Sequence, residues 1–104
     1  MSSRTSTPAD ALVTEKRFLA ELIKLLELTG WRVYHTYDSR RSAPGFPDLM
    51  AVKGPRLLAL EVKTESGRLT PEQRVWLAEL SAVPGVSAYV VRPGPDLAEL
   101  VSIL

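Results

Sequence analysis

The 104-residue chain has no cysteine and a single histidine, His35. The first absence excludes disulfides and thiolate metal ligation. The two together speak against a zinc centre built from nitrogen and sulfur donors. Also missing is an apolar run long enough to span a bilayer, which argues against a membrane protein. The opening residues, MSSRTSTPAD, hold no apolar signal core, so a cytoplasmic location is expected. Charge of one sign is lacking as well, the formal net charge being +1. Its distribution is uneven, however. Eight basic residues face five acidic ones between Arg32 and Arg74, against five and seven in the remainder. That asymmetry suits a polyanionic partner.

What is present describes an ordinary globular chain, 45% hydrophobic and 24% charged, of a size for one domain with a modest core. The Ser/Thr-rich residues 1–9 read as a mobile tail and residues 10–104 as a single domain. A helix is expected from Asp10 or Thr14 to Leu28, with Gly30 as its stop and Leu19, Leu22, Ile23 and Leu26 as its inward stripe. Trp31 to Tyr37 reads as a strand that Trp31 anchors, and Asp38 to Pro47 as a loop. Thr70-Pro71-Glu72-Gln73 opens a second helix, with Thr70 as N-cap, Pro71 at the first helical position and Gln73 in the capping-box slot. That helix ends near Val83. Val86 to Val91 is a further strand, and Asp96 to Leu104 a terminal helix whose Leu97, Leu100, Val101, Ile103 and Leu104 serve a core or an interface. The order α-β-β-β-α-β-α predicts an α/β fold, a mixed sheet flanked by helices.

The chemistry concentrates in Gly45-Phe46-Pro47-Asp48-Leu49 and Glu61-Val62-Lys63. Asp48 to Lys53 and Arg56 to Lys63 read as strands with only Gly54-Pro55 between them, a strong turn signal. A tight hairpin pairs Lys53 with Arg56, and counting inward places Asp48 opposite Glu61. Alternation puts Glu61 and Lys63 on one face and Val62 on the other. Either fragment alone is most simply a solvated charge at a strand end. Joined by the turn they are harder to dismiss, because Leu57 and Ala59 make the face that carries Glu61 apolar too, and ionised groups on a covered face need partners. Like charges directly opposite repel, and a divalent cation reverses that sign.

Two helical polar residues occupy apolar positions. Glu15 stands four residues before Leu19 and seven before Leu22, and Gln73 three before Trp76 and four before Leu77. Each has a plain alternative: Glu15 complements the helix dipole, and Gln73 completes a capping box. Both helices are expected to aim these groups at the same sheet. Trp76 and Leu77 read as core, and His35 as structural.

The pattern Glu15, GFPDLM, LEVK and LTPEQRVWL resembles the virus-type replication-repair nuclease (VRR-NUC) family, from Thr14 to about Val91. That family belongs to the PD-(D/E)xK nuclease superfamily, whose restriction-endonuclease-like core, a mixed four-stranded sheet flanked by helices, also serves Holliday junction resolvases. The resemblance implies that Asp48 and Glu61 are metal ligands, with the Val62 carbonyl as a third. It implies that Lys63 is the catalytic lysine, that Glu15 approaches the metal directly or through water, and that Gln73 positions the lysine, water or phosphate. Every motif position is filled. The oxygen donors select a hard cation, Mg²⁺ or Mn²⁺, and no organic cofactor is implied.

For the DNA surface, Arg40, Arg41 and Ser42 precede the site in a loop, while Arg68 and Arg74 flank the second helix; such residues make sequence-independent phosphate contacts. The resulting expectation is a metal-dependent DNA endonuclease, resembling a Holliday junction resolvase, that hydrolyses phosphodiester bonds in four-way junctions or other branched DNA as a homodimer. The alternatives are a structure-tolerant nickase or flap nuclease of a phage or repair system, a non-catalytic nucleic-acid-binding adaptor, and an α/β domain with an incidental acidic pair.

Overall fold

Hydrophobic periodicity and turn chemistry set the element order seen in a computed structural model, which describes residues 8–36, 43–64 and 66–104, with side chains from residue 15 onward. The order is α1 (Pro8–Leu28), β1 (Arg32–His35), β2 (Leu49–Lys53), β3 (Arg56–Val62), α2 (Pro71–Ser81), β4 (Val86–Val91) and α3 (Pro95–Val101). α1 begins at Pro8, earlier than the expected Asp10, because a proline's fixed φ suits the first helical turn. It stops as expected. Gly30 adopts φ +97°, its N–H donates to the Glu27 carbonyl, and the Trp31 N–H donates to the Leu26 carbonyl, the two bonds of a Schellman cap.

The four strands form one sheet in the order β1-β2-β3-β4. The first two pairings are antiparallel and β3/β4 is parallel. Gly54 sits at φ +59°, the conformation a two-residue hairpin asks of its first central residue, and Lys53 pairs with Arg56 as counted from the sequence. The tip of this hairpin is tied down by its own charges. Arg56 lies over the Trp31 ring at 4.8 Å and donates to the Ile103 carbonyl; Lys53 donates to the Thr29 carbonyl. These cations therefore serve the fold.

One face of the sheet is dry. Leu49, Ala51, Leu58, Leu60, Val62 and Val91 are buried there with Phe18, Leu22 and Leu26 of α1, Trp31, and Leu100 of α3. Leu19 and Ile23 of the predicted stripe, with Leu97, Ile103 and Leu104, pack around this core partly buried, whereas Val101 is exposed. The other face, carrying Tyr34, Met50, Ala59, Glu61 and Ala88 by register, is covered in part by α2, none of whose residues is fully buried. α1 and α2 thus pack on the same sheet, as expected, but from its opposite faces. The cause is the alternation of apolar residues along β2 and β3, which gives each helix its own side to cover. No helix among the described residues is long and apolar enough to cross a membrane.

Candidate active site

Asp48 stands one residue ahead of β2, and Glu61 is the penultimate residue of β3. The register Leu49↔Leu60 continues by one step to Asp48 opposite Glu61. Asp48 is held from both sides: its carbonyl accepts from the Thr36 N–H at 3.0 Å, and its Oδ2 accepts from the Val62 N–H at 2.8 Å. The carboxylate thereby extends the ladder where the backbone pairing stops, which fixes its position against β3.

Glu61 is 3% exposed. Its Oε2 accepts from Gln73 Nε2 at 3.0 Å and lies 3.7 Å from Lys63 Nζ. Its Oε1 is buried without a hydrogen-bond partner among the described residues. Burial, then the negative charge of Asp48, push the Glu61 carboxyl up to about 8, against a smaller opposing pull from Lys63. A buried carboxylate oxygen without a donor is costly to leave so. Two adjoining carboxyl groups with a spare oxygen directed inward form a donor set that suits a hard divalent cation.

Gln73 closes the expected capping box and also reaches the acidic pair. Its backbone N–H donates to Thr70 Oγ1 and its Oε1 accepts from the Thr70 N–H, closing the capping box. The remaining amide nitrogen reaches Glu61. One side chain thus couples the start of α2 to the acidic pair. The docking of that helix explains the rest of the two motifs. A Cβ on Gly45 would fall 2.5 Å from the Glu72 carbonyl carbon and 2.6 Å from the Gln73 nitrogen, so only glycine lets the loop approach the first turn of α2 this closely. Trp76 donates from its indole nitrogen to the Pro44 carbonyl at 3.1 Å and meets Phe46 edge-on at 5.1 Å between centroids. Expected in the core, Trp76 is instead a half-buried clamp on the loop before Asp48. Leu77 is likewise only half-buried. The three-and-four spacing identified the inner stripe of α2 but not that this stripe meets a loop as well as a sheet.

Glu15 is half-buried on α1, and among the described residues no third Asp, Glu, His or Cys joins Asp48 and Glu61. Arg68 and Arg74 are exposed. Arg40, Arg41 and Ser42 lie outside the described residues, as does Tyr37 at the expected end of the first strand. Arg92, passed over in the sequence, stands half-buried just beyond β4 and donates to the Gly67 carbonyl; only the β3/β4 pairing reveals how near this is to Lys63.

Compared with known proteins, residues 8–93 match the family model described as VRR-NUC domain. The chain is also similar to Hjc of Archaeoglobus fulgidus, a Holliday junction resolvase from an archaeal hyperthermophile solved at 1.6 Å resolution. The TM-score is 0.59 and the identity 28%, covering 76% of this chain and 67% of that one. The mixed sheet with its flanking helices is accordingly a restriction-endonuclease-like resolvase fold. The curated proteins contain no match to this chain.

Proposed function

The chain belongs to the VRR-NUC domain family, and from that premise we propose that this nuclease is a Mg²⁺- or Mn²⁺-dependent endonuclease that hydrolyses phosphodiester bonds in branched DNA. The observation that carries the reading is Glu61: buried, set beside Asp48, held by Gln73 and Lys63, and left with one oxygen that has no donor among the described residues. Such an oxygen makes chemical sense as a ligand.

Asp48, Glu61 and the Val62 carbonyl would hold the ion, with Glu15 approaching from α1. When bound, a hard divalent cation supplies positive charge to the phosphoryl oxygens and to the departing oxygen. The chain's own groups do the remaining work. Lys63, two residues from Glu61 on the same face, orients the attacking water and stabilises the charge that develops on the phosphate. Gln73 fixes the Glu61 carboxylate so that its free oxygen stays aimed at the site. Arg40, Arg41 and Ser42, together with Arg68 and Arg74, contact the DNA backbone without reading sequence.

The preference for branched DNA draws on the likeness to the resolvase. A four-way junction is cut symmetrically by two sites on opposed strands, so the reading includes a homodimer. The test is a cleavage panel of four-way junction, flap, splayed arm and linear duplex in Mn²⁺. Paired symmetric incision of the junction by the wild type, abolished in Asp48→Asn, is the expected result. Unselective nicking would instead favour a structure-tolerant nickase or flap nuclease. Binding without any cutting would favour a nucleic-acid-binding adaptor.

A further inference from the structure

The parallel register pairs Glu61 with Val90 and Val62 with Val91, and the Lys63 N–H donates to the Val91 carbonyl at 3.1 Å. One further step along both chains sets Arg92 beside Lys63, on the side of the sheet that bears Glu61. Two neighbouring cations repel, so the pairing calls for a reason. Arg92 Nη2 donates to the Gly67 carbonyl at 2.6 Å, while its backbone N–H donates to Asp96 Oδ2 at 3.2 Å. Gly67 in turn lies against the lysine. A Cβ placed on it would sit 3.3 Å from Lys63 Cδ and 3.2 Å from Thr64 Oγ1. The Gly67 N–H also donates to the Thr64 carbonyl. A lysine has a flexible four-carbon stem, and here the stem is walled by a backbone segment that a guanidinium fastens to the end of β4.

We propose that Arg92 is a positioning residue for Lys63, acting through the Gly67 carbonyl to confine the lysine stem and so aim its ammonium at the scissile phosphate. The catalytic consequence rests on the nuclease reading; the confinement of Lys63 does not. Two measurements separate them. Side-chain ¹³C relaxation at Lys63 should show a loss of order in Arg92→Ala and recovery in Arg92→Lys, which keeps a donor for Gly67. In Mn²⁺ cleavage of the four-way junction, Arg92→Ala should lower kcat by about 10- to 100-fold with DNA affinity held within about twofold, since displacing a reacting group by an ångström costs on that order. In a Lys63→Ala background the same substitution should cost nothing more, because the two residues act as a unit.

Unchanged Lys63 order in Arg92→Ala overturns the proposal, as does a kcat loss that persists without Lys63. A roughly tenfold weakening of DNA binding at unaltered kcat also overturns it, showing a phosphate contact instead. Should Arg92→Ala fail to fold, Gly67→Ala replaces it. Its methyl presses on the lysine stem, so an altered Lys63 relaxation profile supports the proposal and an unaltered one overturns it. A wild type that cuts no DNA ends the nuclease reading, while the relaxation measurement still decides the role of Arg92.

Discussion

At the scale of the residue, a carboxyl with a pKa of about 8 beside a usual value of 4.5 links protonation to folding. Between those two values the folded chain keeps a proton that the unfolded chain has released. The stability tied to this proton is therefore fully present below pH 4.5 and is lost as pH rises through 8. Glu61→Gln removes the linkage without changing shape. In metal-free protein the variant should gain about 1–3 kcal/mol over wild type between pH 4.5 and pH 8, read as a difference in denaturant midpoint that vanishes at the acid end. A divalent cation acts in the opposite sense on wild type, because it binds the deprotonated form. Added Mn²⁺ should raise the melting temperature at pH 8 in wild type and far less in Glu61→Gln. Equal shifts in both proteins would remove Glu61 from the ligand set.

At the scale of the element, the N-terminus of α2 bears on the acidic pair. Thr70→Ala deletes the acceptor for the Gln73 N–H and should cost about 1 kcal/mol of stability, the usual value of an N-cap. Since the same Gln73 also holds Glu61, cleavage should fall by more than the loss of folded protein accounts for, in an assay run well below the melting transition. The hairpin was legible because a two-residue turn permits one register, and that register alone decides where Asp48 meets Glu61. The capping box was legible for the same local reason. The side on which each helix lies was not, since an apolar stripe gives a direction without naming the sheet face that receives it. Trp76 was misplaced because burial spacing cannot distinguish a sheet interior from a loop. Arg92 was missed because its partner, Gly67, is 25 residues away, across a parallel pairing that no local pattern announces.

At the scale of the whole molecule, the sheet separates the protein's two tasks. The face under α1 and α3 carries the close-packed core, and the face under α2 carries the ionisable groups, with Tyr34 and Val52 left 60% and 42% exposed on it. A homodimer is the assembly that four-way junction cleavage asks for. Sedimentation equilibrium at micromolar concentration should return twice the 11.5 kDa chain mass, and junction incisions should come in pairs within one binding event. A monomer that nicks one strand at a time would favour the nickase reading.

The contacts at the acidic pair are also short in sequence. Asp48 reaches Val62 across 14 positions and Gln73 reaches Glu61 across 12. Closing loops of that length costs little chain entropy, and contacts so near along the backbone form early in folding. Hairpin and helix start can therefore take up their mutual geometry before the chain's two ends have docked. The acidic pair and its helix start then form a local structural unit, to which β4 adds Arg92 beside Lys63.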